Sequence, residues 1–395
     1  MKNDTLHILY TTAWYPNRIE SGDGVFVEKH ARAISRKHRV SVLLVKADYA
    51  VRGLRAERVV EENGNLLTVR VYVPKVRFEV PVITGILRFL LFLAGSLYGY
   101  RRIVVRRGVP DISHVNVLTR AGLLPYLLKK TRDIPYIITE HWTRYQRDEY
   151  PKQRIQHWFT RKIVGEARFV APVSKTLQRD MERKGLNSDR YTTINNVVDT
   201  EIFTPRPSQE GDWMVMEGPR KKRMVHVSWM RDAAKNISGM LHAVAELKKK
   251  RSDFTLVLVG EGNDKERLME LARTLGLEEV VTFLPAKQGE ALAEEIRISD
   301  FMVLFSNYEN QPVCILEALS CGIPVLATRV GAIEEMLDDH RGIVIAQGDS
   351  AALEEQMDWL LDHHDAYDPV RLHHYIEAGF SPRAVLKSYD ALYGV

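Results

Sequence analysis

One spacing pattern constrains this chain more than any other feature. Short apolar runs recur at helix-length intervals, stop at a polar, proline-rich stretch, and then start again. The first series lies at about 6–12, 40–45, 66–73, 111–117, 136–139 and 169–173. Neighbouring parallel strands need a crossover of a dozen or more residues, and strands covered on both faces read as continuous apolar runs. The pattern therefore predicts an α/β fold with a doubly wound parallel sheet. After Phe203 the stretch TPRPSQEGDWMVMEGPRKKR has neither a helical nor a strand period and reads as a domain junction. Beyond it the alternation restarts with 224–228, FTLVLVGEG, VVTFL, FMVLF and PVLAT, separated by helix-length segments. Two such domains are expected, over 1–205 and 206–378, with 379–395 forming a terminal helix that packs back on the first. In open parallel sheets ligands bind beyond the carboxyl ends of the strands, so function belongs to the loops there and to a cleft between the two sheets.

Composition narrows the function classes. With 45% hydrophobic and 27% charged residues, 395 residues can bury proper cores, which excludes a disordered or collagen-like chain. Cys314 and Cys321 are the only cysteines, too few for a four-thiolate zinc site and suited to a reducing compartment. The N-terminus does not resemble a signal peptide, so a cytoplasmic location is expected. The net charge of +5 hides an asymmetry: residues 1–200 carry 35 Lys/Arg against 19 Asp/Glu, and residues 201–395 carry 21 against 32. A basic half suits nucleic acid, an anionic leaflet or a phosphorylated substrate. No aromatic-interleaved basic stripe or reader motif points to nucleic acid, which is not expected as a partner.

Residues 80–100, VPVITGILRFLLFLAGSLYGY, are nearly all apolar and precede four arginines. Their length permits a membrane span. Arg88 near the middle, together with Pro81, Gly85, Gly95 and Gly99, argues instead for a helix packed on the sheet or lining an apolar acceptor groove. The alternative is a helix lying on a membrane surface.

The chemistry concentrates in FMVLFSNYENQPVCILEALSCGIPVLAT. A buried strand ends at Phe305, a polar loop follows, and a helix is expected to begin near Pro312, where a missing N–H is harmless. The amides of Gln311, Val313 and Cys314 would then present the positive end of the helix dipole to an anion such as a diphosphate. Glu309 and Glu317 flank that point. A lone pair of glutamates at this spacing is usually just solvated, but Glu317 stands among apolar neighbours, where an unpartnered carboxylate is costly. Carboxylates beside a phosphate site suit neutral hydroxyls, such as those of a sugar and a ribose.

The Glu309-to-Glu317 spacing, followed by ALSCGIPVLATRVGAIEEML, resembles the retaining glycosyltransferases of family four, which have the GT-B fold. HVSWMRDAAKNISGML resembles that family's phosphate-binding turn, VGEGNDKERL its next strand and loop, and AWYPNRIESGDGVFVEKHA and TEHW its acceptor-side glycine loop and histidine loop. The resemblance implies two Rossmann-like domains facing across a cleft. It implies roles for Glu309 on hydroxyls of the transferred sugar, Glu317 on the ribose and Lys235 on the diphosphate. Asn310, Gln311, Pro312 and Val313 line the same donor site, His141 lies near the sugar, and Gly22 and Gly24 form the acceptor-side loop. Trp229 stands where the family usually has arginine, so Arg231 becomes the candidate second cation, and Asn310 stands where glycine is common. Lys287 is the charged residue of the loop expected to meet the base.

The activity so implied is metal-independent, retaining transfer from a UDP- or GDP-linked sugar, with no cofactor, to a saccharide or lipid-linked saccharide. Its setting would be surface polysaccharide synthesis at the inner face of the plasma membrane, with an anionic membrane surface as a partner. A nucleotide-sugar epimerase, with His141 and Glu140 as acid and base, or a non-catalytic nucleotide-sugar-binding protein is the alternative. The pairs His363–His364 and His373–His374 lack companions for a metal site and read as surface residues.

Overall fold

The computed structural model describes residues 5–20, 22–53, 55–76, 81–118, 120–146, 150, 154–206 and 221–395. It divides into two compact units, Met1–Val197 with Val385–Val395, and Val198–Ala384. The first junction thus falls eight residues before the expected one, because Val198 and Phe203 are buried in the core of the second unit and Val198 N donates to Phe380 O at 3.0 Å. The return to the first unit comes at Val385 rather than residue 379. Residues 207–220, most of the expected linker, lie outside the described residues.

In the first unit the strands are β1 (His7–Thr12), β2 (Arg39–Asp48), β3 (Glu57–Asn63), β4 (Leu66–Pro74), β5 (Ile112–Asn116), β6 (Tyr136–Glu140) and β7 (Phe169–Pro172). They form one sheet in the order β3-β4-β2-β1-β5-β6-β7. Its helices are α1 (Val25–Ser35), α2 (Pro81–Arg107), α3 (Leu123–Arg132), α4 (Arg154–Glu166) and α5 (Lys175–Arg183). Every pairing is parallel except that of β3 with β4, a hairpin that the apolar pattern does not show. All seven residues of β3 are exposed, so no burial marks its sequence, and it exists by pairing its backbone with a buried neighbour.

Helix α2 is the long apolar segment, and by length and composition alone it could cross a membrane. Its second half is sheet-bound. A Cβ on Gly95 would stand 2.9 Å from Val73 Cγ1, and one on Gly99 2.4 Å from Leu43 Cδ1, so these glycines let the helix sit directly on β2 and β4. One face of its first half is not covered: Val82, Ile86 and Leu90 are 69%, 57% and 52% exposed.

The second unit is built from β8 (Lys222–Val227), α6 (Asp232–Lys235), α7 (Ile237–Lys250), β9 (Phe254–Val259), α8 (Lys265–Thr274), β10 (Val281–Leu284) and α9 (Glu290–Arg297). It continues through β11 (Phe301–Leu304), α10 (Val313–Ser320), β12 (Val325–Thr328), α11 (Ile333–Met336), β13 (Gly342–Ile345), α12 (Ser350–His363) and α13 (Pro369–Phe380). Its wholly parallel sheet runs β10-β9-β8-β11-β12-β13.

The last helix, α14 (Pro382–Tyr393), sends Val385, Tyr389, Leu392 and Tyr393 into the first unit's core beside Ile8, Ile112 and Ile137. Buried histidines meet it there. His114 Nδ1 lies 2.7 Å from Tyr393 OH and its Nε2 2.8 Å from Thr139 Oγ1, while His30 Nδ1 lies 2.9 Å from Tyr389 OH. Burial lowers the pKa of His30 from 6.5 to about 4, and burial, followed by the His30 charge, takes His114 well below its usual value. Both are neutral when folded, so between the folded and unfolded pKa values the unfolded chain binds more protons. Their contribution is complete above pH 6.5 and is lost as pH falls toward 4, by up to about 1.4 kcal/mol per pH unit for each histidine. Burial raises the Glu140 carboxyl, which offsets part of this loss. Scanning calorimetry should show a markedly lower melting temperature at pH 5 than at pH 7.5; equal values would contradict the neutral cluster.

Candidate active site

Strand β8 exits into a tight turn that places one cation. Asp232 Oδ1 accepts from Ser238 N at 2.8 Å, its Oδ2 accepts from Arg267 at 2.7 Å, and its own N–H donates to Asp264 at 2.8 Å. Asn236 closes the turn at φ +47°, in the left-handed region that asparagine tolerates better than most residues. Lys235 thereby projects inward and its Nζ meets Glu309 Oε1.

Glu309 is fixed from the other side. Its Oε1 accepts from Ser306 Oγ at 2.8 Å, and Ser306 O accepts from Thr328 Oγ1 at 2.6 Å. Asn307 N donates to Ala234 O at 2.8 Å, tying the loop after β11 to the turn that carries Lys235. Behind the loop stands Gly331 at φ +57°, where a Cβ would fall 2.0 Å from Glu309 O. The Lys235 side chain is only 19% exposed, and burial by itself would lower its pKa. The facing Glu309 carboxylate outweighs burial, so the ammonium stays above its ordinary value.

Helix α10 begins at Val313 with Pro312 as its extended N-cap, one residue later than expected. The N–H groups of Val313 and Cys314 fall in its first turn, where no intrahelical acceptor exists. Asn310, Gln311 and Glu317 are buried around that end. Cys314 lies close by, and burial pushes its thiol up to about 12. The structure thus gathers Lys235, Glu309, Asn310, Gln311, Pro312, Val313 and Glu317 at the exit of β11.

Two predicted residues fare differently. Arg231 is the exposed N-cap of α6. Lys287 pairs with the Glu295 carboxylate, which Arg223 also holds. Sequence reasoning missed His226. Its Nδ1 donates to Val303 O at 2.9 Å, which leaves Nε2, 2.7 Å away, to accept the Ser228 hydroxyl proton, and burial lowers its pKa to about 4. A histidine two residues before the turn was the available signal.

In the first unit, Glu140 organises the exit of β6. Its carboxylate accepts from His141 N at 2.9 Å, Trp142 N at 3.0 Å, Leu118 N at 2.7 Å and Tyr145 OH at 3.2 Å. Those bonds occupy the group that an epimerase would need as acid or base, so Glu140 positions His141 rather than partnering it in proton transfer. Val117, one residue before Leu118, sits at φ +59°, a strained conformation for a β-branched residue. The His141 ring lies 4.9 Å from Phe26 and 5.1 Å from His30 between ring centres. Burial, then the charges of His30 and His114, hold His141 well below its usual pKa, hence neutral. Gly24 takes φ +67°, and a Cβ there would stand 2.4 Å from the Trp14 carbonyl carbon, whereas Gly22 has open space around it. Among the described residues no group of three or more His, Cys, Asp and Glu could hold a metal ion.

Comparison with known proteins decides the family. Residues 217–377 match the model of "Glycosyl transferases group 1", and residues 21–197 match that of a "Glycosyl transferase 4-like domain". The chain belongs to the group 1 glycosyltransferases. Among curated relatives, N-acetyl-alpha-D-glucosaminyl L-malate synthase of Bacillus anthracis is 25% identical over 58% of this chain and 60% of its own length. A D-inositol 3-phosphate glycosyltransferase of Pseudarthrobacter chlorophenolicus is 30% identical over 52% of this chain and 50% of its own. The matches thus span about half to three fifths of these relatives. A sucrose-phosphate synthase structure from Thermosynechococcus elongatus superposes with a TM-score of 0.76 at 18% identity, covering 99% of this chain and 98% of that one. Anabaena HepE, solved in complex with UDP, gives 0.71 at 15% identity, covering 99% and 100%. The fold of this glycosyltransferase is GT-B.

Because Gly331 combines a positive φ with the Glu309 carbonyl at clash distance, Gly331→Ala should destabilise the second unit by about 2 kcal/mol or more. Chemical denaturation followed by circular dichroism tests this; an unchanged midpoint would count against the stated packing of the Glu309 loop.

Proposed function

We propose that this glycosyltransferase moves a sugar from a UDP- or GDP-linked donor to a saccharide or lipid-linked saccharide, with retained anomeric configuration. The observation that carries the reading is the Lys235–Glu309 pair held beside the first turn of α10. A diphosphate leaving group gains negative charge as the glycosidic bond breaks, and a fixed ammonium with two free amides stabilises that charge without reorganising. Lys235 would pass from Glu309 to the phosphate oxygens, which frees the carboxylate to accept from sugar hydroxyls. Glu317 takes the ribose, Asn310 and Gln311 frame the donor, and Arg231 supplies a second cation. His141, neutral, serves a sugar hydroxyl in the role the family resemblance gives it. The leaving phosphate takes the acceptor proton, so the scheme needs neither a protein nucleophile nor a metal.

UDP is the nucleotide bound in the HepE structure and is the first to test. The setting we assign is surface polysaccharide synthesis at the cytoplasmic leaflet, because the half of the chain richer in Lys and Arg also bears the uncovered apolar start of α2.

Lys235→Ala should weaken UDP or GDP binding roughly tenfold in calorimetry and cut transfer by about a hundredfold or more. Glu309→Gln should spare nucleotide affinity and still abolish transfer, and EDTA should leave the wild-type rate unchanged. Full transfer in either variant would overturn the assignment. Epimerised donor with no acceptor-linked product would favour the epimerase reading.

A further inference from the structure

The first unit contains a pocket of about 370 Å³ whose wall carries Lys46, Arg88, Arg120 and Arg144 and, among the described residues, no carboxylate. Two of the four cations are compensated. Lys46 pairs with Asp23. Arg144 lies 4.1 Å over the Trp142 ring, donates to Leu118 O at 3.1 Å and has the Glu140 charge nearby. Arg88 and Arg120 are different: among the described residues neither forms an ion pair. Arg88 Nε donates to Val76 O at 3.0 Å, and among the described residues no carboxylate meets its other nitrogens. Both side chains line this one pocket, and desolvation, and after it the Arg88 charge, depresses the pKa of Arg120.

Two neighbouring guanidinium groups in a partly dry pocket oppose each other unless an anion sits between them. Their planar forks match the oxygens of a phosphate. The remaining wall is apolar and aromatic, with Trp14, Leu91, Phe92 and Trp142. Arg88, Leu91 and Phe92 belong to α2, whose opposite side exposes Val82, Ile86 and Leu90 at four-residue spacing, hence on one face. The helix thus joins a cationic pocket to an uncovered apolar surface, the two chemistries that an amphiphile with a phosphate head requires.

We infer that this pocket holds the phosphate of a lipid-linked acceptor between Arg88 and Arg120, with its hydrocarbon in the leaflet that the Val82–Ile86–Leu90 face of α2 enters. The inference rests on the first unit being the acceptor side of the proposed transferase. It narrows the acceptor from any saccharide to one carried on a lipid phosphate.

The test is cosedimentation of the full chain with phosphatidylcholine vesicles, plain or doped with a polyprenyl phosphate, with UDP binding measured in parallel. Wild type should bind doped vesicles and not plain ones. Arg88→Ala/Arg120→Ala should lose that binding roughly tenfold or more while keeping wild-type affinity for UDP. Val82→Ser/Ile86→Ser/Leu90→Ser should release the protein from vesicles while leaving its affinity for soluble geranyl phosphate unchanged. Vesicle binding that survives loss of both arginines overturns the inference, as does tighter binding of inorganic phosphate than of geranyl phosphate. Loss of UDP binding by the wild type would sink the transferase reading instead, which the vesicle result does not decide.

Discussion

A lysine and a glutamate taken partly out of water set the terms for the second unit. A buried ion pair contributes little stability of its own, since the desolvation of both charges absorbs most of the attraction. It persists because the surroundings leave it no alternative. Asp232 and Asn236 aim Lys235; Ser306 and the Gly331 turn aim Glu309; Asn307 ties the two loops together. Each constraint is a hydrogen bond or a steric limit at the carboxyl end of a parallel strand, where the backbone has left the sheet and its polar groups need new partners. The same loops that satisfy those groups therefore pre-organise the charge pair.

The first unit solves a similar problem with a different charge. Glu140 is fully buried and collects four donors from three segments, so the Arg144 charge and these hydrogen bonds offset part of its desolvation, which still raises its pKa. What it holds in place is a neutral His141. Burial favours that neutrality, because a charged imidazole held this far from water would lose its hydration.

Much of this was legible in the sequence because it is periodic or local. Both parallel sheets follow from apolar run lengths, and the amino end of α10 follows from a strand, a polar loop and Pro312. What escaped detection depends on partners distant along the chain. Strand β3 has no buried residue to mark it, and β13 buries only its two end residues. The pairing of Lys287 with Glu295, eight residues on in α9, is not marked in the sequence either. Glu140 reads as a candidate acid because the sequence shows its carboxyl group and not the four donors around it. Arg88 and Arg120 are 32 positions apart on different elements, so nothing in their spacing tells that their charges meet.

That last pair also gives the charge asymmetry of the chain a local meaning. An excess of cations over a whole half is compatible with many partners, because solvent and salt screen scattered surface charge within about 10 Å. Several arginines near the sheet are answered by carboxylates: Arg18 by Asp48 and Glu57, Arg70 by Glu61, Arg106 and Arg107 by Glu62. The excess therefore becomes specific only where a concave, partly dry wall leaves guanidinium groups unanswered. The pocket beside α2 is such a place, and the helix that lines it also carries the uncovered apolar face. Charge and hydrophobicity that look like separate oddities in the sequence are two sides of one helix in the fold.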